Sequence, residues 1–128
     1  MSSYILKVAG GNDVVEAILN FCRRKNTGLC ILTTLGTVAN VMLRQPSTTP
    51  GATITFHGRF DMLSVSATFL MASFPPIPKR FTISVTGLQG QIVRGLIARA
   101  LIAVETVYIV AASFNNHGSR VWYSRLSV

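Results

Sequence analysis

Acidic residues are scarce: four Asp and Glu stand against twelve Lys and Arg in 128 residues. Charged residues make up 12% of a chain that is 49% hydrophobic, where a soluble domain usually carries about 25% charged. Such a composition excludes intrinsic disorder, which needs low hydrophobicity and high charge. It also implies partly covered surface. A domain this small hides only about two-thirds of its chain, so the missing charges predict apolar surface that another subunit covers. Long apolar runs are missing as well. Asn26 to Leu43 and Met62 to Pro78 carry no charge, yet the first is laced with Thr, Asn and Gly and the second ends in Pro75, Pro76 and Pro78. Neither is a membrane span, which needs about 20 apolar residues. The N-terminus meets Lys7, Gly10 and Gly11 too soon to hold the apolar stretch of a secretory signal, so an intracellular chain is expected. Cysteine is limited to Cys22 and Cys30, with no CxxC pair and no His at metal-ligand spacing. Two buried free thiols in a reducing compartment are the expectation.

At 13.9 kDa the chain fits one domain, residues 1–128. The net charge of +8 and a pI near 10.6 favour a polyanion or an acidic protein as partner. The cations, however, are dispersed. Only Arg23-Arg24-Lys25 forms a run, and it falls at the end of a predicted helix, where cations oppose the macrodipole. A surface that binds DNA directly remains an alternative, but no reading motif accompanies it.

Asp13-Val14-Val15-Glu16 has the spacing of a capping box and starts that helix. Val14, Ile18, Phe21 and Cys22 fall on one face, and Gly28 is expected to supply the stop. Branched and aromatic residues then predict strands at Leu29–Leu32, Val38–Leu43, Ala52–His57, Phe60–Leu70, Arg80–Thr86 and Val104–Phe114. Turns are predicted at Gly36, Pro46–Gly51, Pro75–Pro78, Gly87–Gly90 and Asn115–Gly118. Leu63, Val65, Ala67 and Phe69 alternate with Ser64, Ser66 and Thr68, which predicts one packed and one polar face. Val104 to Ala112 is apolar on both parities and is expected to be covered on both sides. Gln91 to Ala103 fits helix and strand alike.

An enzyme needs converging titratable groups, and the inventory here is thin. His57 closes a predicted strand, His117 lies in a predicted turn, and Gly87-Leu88-Gln89-Gly90-Gln91 lacks the Lys and Ser/Thr of a phosphate loop. The unusual feature is Phe56-His57-Gly58-Arg59-Phe60-Asp61-Met62-Leu63, where a glycine, an arginine and an acid sit among aromatic and long apolar residues. It reads either as a bulge with a surface ion pair or as a contact surface, since Arg and aromatics make interface hot spots. Composition alone leaves the two even.

Several blocks occur in a recognisable order. Gly11-Asn12-Asp13-Val14 leads to Phe21-Cys22-Arg23-Arg24, then to Gly36-Thr37-Val38-Ala39-Asn40-Val41 and Leu43-Arg44-Gln45-Pro46. Gly58-Arg59-Phe60-Asp61-Met62-Leu63 comes next, and Gly90-Gln91-Ile92-Val93 and Ala111-Ala112-Ser113-Phe114 complete the series. From about Tyr4 to Leu126 the chain resembles the plant form of the plant- and prokaryote-conserved domain.

The resemblance implies an α+β fold, a largely antiparallel sheet of about seven strands on one main helix, assembling as a trimer. It makes Gln91 to Ala103 mostly strand. It further implies a non-enzymatic, nuclear role in transcription: homo- or hetero-trimerisation with related domains, and capture of other nuclear factors through Gly58, Arg59, Phe60, Asp61, Met62 and Leu63. Family members bind A·T-rich DNA through Arg-Gly-Arg-Pro AT-hooks, and no such segment occurs in these 128 residues. Two departures stand out. Asp61 replaces the usual Glu and Met62 a bulkier apolar residue, which bears on partner choice. Prokaryotic relatives carry a histidine cluster that looks metal-binding; Ile83, Val85 and Leu96 stand in its place, and aliphatic side chains ligate no metal. Neither a metal nor another cofactor is therefore expected, and a small metal-dependent enzyme on a related fold is the minor alternative.

Overall fold

The computed structural model describes residues 2–44, 52–70, 77–117 and 120–123. In chain order these form β1 (Ser3–Val8), α1 (Val14–Lys25), β2 (Gly28–Leu35), β3 (Thr37–Arg44), β4 (Thr53–Leu70), β5 (Ile77–Gly87), β6 (Ile92–Ile97), β7 (Ile102–Ala103), β8 (Val107–His117) and β9 (Arg120–Tyr123). The fold is α+β. One antiparallel sheet runs β1-β8-β2-β4-β5-β6-β3-β7, with β9 added to β8 and β3 also pairing with β4. β3, β4, β5 and β6 thereby close a circuit of pairings, and the sheet curls around its own core.

Helix α1 forms for the reasons its sequence supplies. Asp13, extended at φ −81°, accepts from the Val15 N–H at 2.9 Å, and Val14, Ile18, Phe21 and Cys22 are the residues it buries. Asp13 Oδ1 also accepts from the Leu101 N–H at 3.1 Å, tying the helix start to the β6–β7 connection. Glu16 does not complete a capping box; its carboxylate lies 3.7 Å from Arg23. The stop is Asn26, left-handed at φ 50°, rather than Gly28. Gly28 serves close packing instead: a Cβ there would lie 2.7 Å from both the Phe114 ring and the Phe69 carbonyl oxygen.

The helix covers one face of β1-β8-β2, with Tyr4 meeting Phe21 edge to face at 4.9 Å. Cross-strand partners share a face. Leu6, Ile109 and Thr34 are in register and point inward, whereas Lys7, Tyr108 and Leu35 are in register and point outward. On that outer face Leu35 is 70% exposed, Ile5 69% and Tyr108 39%, and Leu32, at the irregularity between Ile31 and Thr33, is also exposed. Val104–Ala112 was expected to be covered on both sides. Strand β8 is central, and its inner side is covered; on its outer side Tyr108 is exposed, Val110 half-buried and Ala112 buried within one subunit.

Among the described residues nine strands stand where about seven were expected. The pairing of Ser3–Val8 with Val107–Ala112 adds one, and the two-residue β7 and four-residue β9 add others. The two strands predicted on either side of Gly58 are a single 18-residue strand, β4. Gln91–Ala103 is mostly strand, and Gly87–Gly90 is a turn closed by the Gly90 N–H on the Gly87 carbonyl at 3.0 Å. Ile77 and Pro78, read as loop, begin β5, and Asn115 to His117, read as turn, end β8. The predicted breaks at Pro46–Gly51, Pro75–Pro76 and Gly118 lie outside the described residues.

Cys22 is fully buried, and Cys30 is only half-buried, more open than expected. Burial pushes the Cys22 thiol up from 9.0 to about 11. The folded state thus holds this proton where the unfolded chain releases it, so the contribution is complete below about pH 9 and is lost as pH rises toward 11. Across pH 9 to 11 the wild type should lose stability relative to Cys22→Ala, and denaturant midpoints of the two proteins at each pH check this.

Candidate partner-binding site

Gly58 to Leu63 lies where β4 has β3 on one side and β5 on the other, between two irregularities. The first is a bulge in which His57 and Gly58 oppose the single residue Asn40, since Ala39 pairs with Arg59 and Val41 with Phe56. Gly58 has φ 107° and Asn40 φ 53°, and the Gly58 N–H donates to Asn40 Oδ1 at 3.0 Å. A Cβ at Gly58 would meet nothing within 4 Å, so glycine is needed there for its backbone conformation. The second irregularity inserts Leu63, because Met62 pairs with Val85 and Ser64 with Ser84.

The second bulge resets the alternation. Phe60 and Met62 point inward at 4% and 6% exposure, and Val65, Ala67 and Phe69 resume the inward face beyond it. Leu63, expected on the packed face with Val65, is instead 51% exposed. An extra residue in one strand shifts the residues before it by one position relative to those after it, and a strict two-residue period hides the change. Arg59, Asp61 and Leu63 therefore share the outside of the domain.

Arg59 and Asp61 do not form the surface ion pair that one of the two sequence readings offered. Asp61 Oδ1 accepts from Thr37 Oγ1 at 2.6 Å, across the β3–β4 pair where Thr37 and Asp61 are in register. Among the described residues the one ion pair is Glu16 with Arg23, so the Arg59 guanidinium is not engaged by an acid. Arg59 and Asp61 line a cleft of about 180 Å³ with Leu88 and Glu105 on its other walls. Leu88, at the β5–β6 turn, is 91% exposed. The sequence reading missed Leu88, Thr37 and Glu105. An apolar side chain in the glycine-bounded Gly87–Gly90 turn was the available signal for Leu88, while Thr37 reaches the cleft through its register with Asp61 and Glu105 through the β7–β8 connection.

A free cation, an anchored carboxylate and a protruding leucine around a shallow cleft suit protein contact better than bond-making. His57 is exposed on the bulge. Ile83 and Val85 are core residues, and Leu96 is half-buried. Among the described residues no three His, Cys, Asp or Glu side chains gather into a group able to hold a metal.

The Plants and Prokaryotes Conserved (PCC) domain matches residues 1–115. The chain belongs to that family. Among the relatives of this PCC domain is AT-hook motif nuclear-localized protein 17 of Arabidopsis thaliana, 59% identical over 122 residues, which cover 91% of this chain and 44% of the relative. AT-hook motif nuclear-localized protein 28 of the same plant is 55% identical over 122 residues, covering 91% of this chain and 59% of the relative. The chain thus spans about half the length of the curated relatives it matches. In structure the PCC domain is similar to a plant- and prokaryote-conserved protein of Pyrococcus horikoshii, with a TM-score of 0.73, 14% identity, and coverage of 98% of this chain and 93% of that one. At that identity the likeness concerns the fold.

Proposed function

We propose that this chain is the assembly and partner-binding part of a nuclear transcription regulator and performs no catalysis. Copies of it, or related domains, pack as a trimer over the outer face of β1-β8-β2. The segment Gly58–Leu63, with Leu88 at its rim, takes another nuclear factor. DNA binding belongs to an AT-hook carried outside these residues.

The observation that carries this reading is the uncovered apolar face: Leu32, Leu35, Leu63 and Tyr108 are large, exposed and close to one another in the sheet. Leu35 is directly opposite Tyr108, and the Gly36 carbonyl accepts from the Met62 N–H at 3.0 Å, which brings Leu35 and Leu63 to the same region. Monomers rarely leave such a patch open, and three-fold closure leaves no free surface of this kind. The nuclear assignment is supported by the names of the relatives. Their greater length leaves room for a separate DNA-binding segment. Minor-groove reading needs an extended basic arm, and the arginines here are held singly on a folded sheet.

The test separates assembly from capture. A bait made of the whole domain should retain nuclear factors from plant nuclear extract, and Arg59→Ala and Leu88→Asp should abolish that retention while oligomer mass and thermal midpoint stay unchanged. Equal retention by both variants contradicts the cleft as the contact. In parallel, the domain should bind an A·T-rich duplex no better than a G·C-rich one, with affinity falling steeply as salt rises. Sequence-selective binding at physiological salt contradicts the assignment of DNA recognition elsewhere.

A further inference from the structure

Edge strand β1 and helix α1 bound a groove that neither the cleft nor the outer face uses. Its volume is about 700 Å³, and Leu6, Phe21, Lys7, Arg23 and Arg24 are among its walls. Two independent observations meet there. The first is unpaired backbone. β1 ends the sheet and pairs with β8 alone among the described residues. The Ser113 N–H donates to the Ser2 carbonyl at 2.8 Å, and in an antiparallel pair successive residues turn their polar groups alternately toward and away from the neighbour. Ser2, Tyr4, Leu6 and Val8 therefore face β8. The backbone groups of Ile5 and Lys7 face the groove, a template for one more strand.

The second observation is charge. Arg24 is exposed and Arg23 partly so, and Glu16 offsets Arg23 alone at 3.7 Å, while the Lys7 ammonium lies on the outer face, 5.9 Å from the Tyr108 ring centroid. The Arg24 guanidinium carbon sits 6.0 Å from the Phe21 ring centroid, so a cation borders the apolar floor. We infer that the groove takes an extended acidic segment of a different protein, which adds to β1 as a strand and sets the carboxylates of its helix-side face against Arg23 and Arg24. A second copy of this chain is a poor occupant. Of its four acids, Asp13 caps α1, Asp61 holds Thr37 and Glu16 already faces Arg23. Duplex DNA would meet the cations but offers no strand for Ile5 and Lys7 to pair with.

The probe is a labelled peptide of about eight residues alternating Glu and Val, a usual strand length, with a Lys-Val peptide and an A·T-rich duplex as competitors. Fluorescence anisotropy reads affinity, and amide hydrogen exchange reads Ile5 and Lys7. The Glu-Val peptide should bind and slow exchange at both amides, and neither competitor should do so. Lys7→Pro removes an outward N–H and Lys7→Ala removes only the charge. The proline variant should bind about tenfold more weakly than the alanine variant, a loss on the scale of one backbone hydrogen bond, with oligomer mass unchanged. Arg24→Glu should weaken binding without altering the thermal midpoint, and it keeps the test decisive should Lys7→Pro fail to fold. The inference is overturned by equal affinity of the proline and alanine variants, by binding without protection of Ile5 and Lys7, or by equal binding of the Lys-Val peptide. A fall in oligomer mass for Lys7→Pro, which would make β1 a subunit contact, or protection of these amides by the duplex also overturns it. Each of these results leaves the cleft at Arg59 and Leu88 untouched, since that site is built from other strands.

Discussion

Phe60→Ala should unfold the domain at temperatures where Leu63→Ala leaves it folded, although Leu63 looks like the core residue in a strict alternating pattern. Phe60 is 4% exposed, sits between Val38 of β3 and Gly87 of β5, and belongs to the cluster that fills the curled sheet. Truncating a buried Phe removes its transfer energy and leaves a cavity, together about 3 to 5 kcal/mol. That is a large part of the roughly 5 to 15 kcal/mol that holds a domain folded. Leu63 is half out of the subunit, so its truncation should cost the isolated fold about 1 kcal/mol or less. Its effect should appear in assembly. Thermal unfolding and light scattering on both variants decide the matter: a midpoint drop as large for Leu63→Ala as for Phe60→Ala would place Leu63 in the core and rule out the second bulge.

Leu35→Asp should convert the assembled protein into folded monomers. Leu35 is 70% exposed in the single subunit, directly opposite Tyr108, and among the described residues nothing in its own chain covers it. A carboxylate placed there is solvated in the monomer and costs little. Buried between subunits without a partner it costs several kcal/mol, more than most interfaces can absorb. Circular dichroism should therefore keep its sheet signature while the mass falls to 13.9 kDa. An unchanged mass would mean that subunits, if they associate, do so elsewhere.

Local signals in the sequence were reliable where one residue or one short period sets the structure. Asp13 caps α1, and Val14, Ile18, Phe21 and Cys22 are buried as their helical spacing requires. The glycine-rich turn after β5 and the irregular backbone at Gly58 were also legible, because glycine marks both. The features that could not be read depend on partners distant in the chain. Ser3–Val8 carries no turn signal and becomes a strand by pairing with β8. Asn26 takes the helix stop because its side chain tolerates a left-handed backbone, and Gly28 is reserved for the close approach of Phe69 and Phe114. Leu63 fails the alternation since the extra residue shows only against the register of β5. Of the candidate site, Arg59 and Asp61 were found and their pairing was not, for Asp61 is claimed by Thr37, 24 positions earlier. Leu88 joins them only when the sheet folds back on itself.

The central claim is that apolar surface left open by one subunit is closed by others of its kind. Light scattering of the unmodified domain across a hundredfold dilution tests it most directly. A trimer of about 42 kDa, three chains of 13.9 kDa, persisting on dilution as obligate assemblies do, is the predicted result; a monodisperse 13.9 kDa species at every concentration would contradict it.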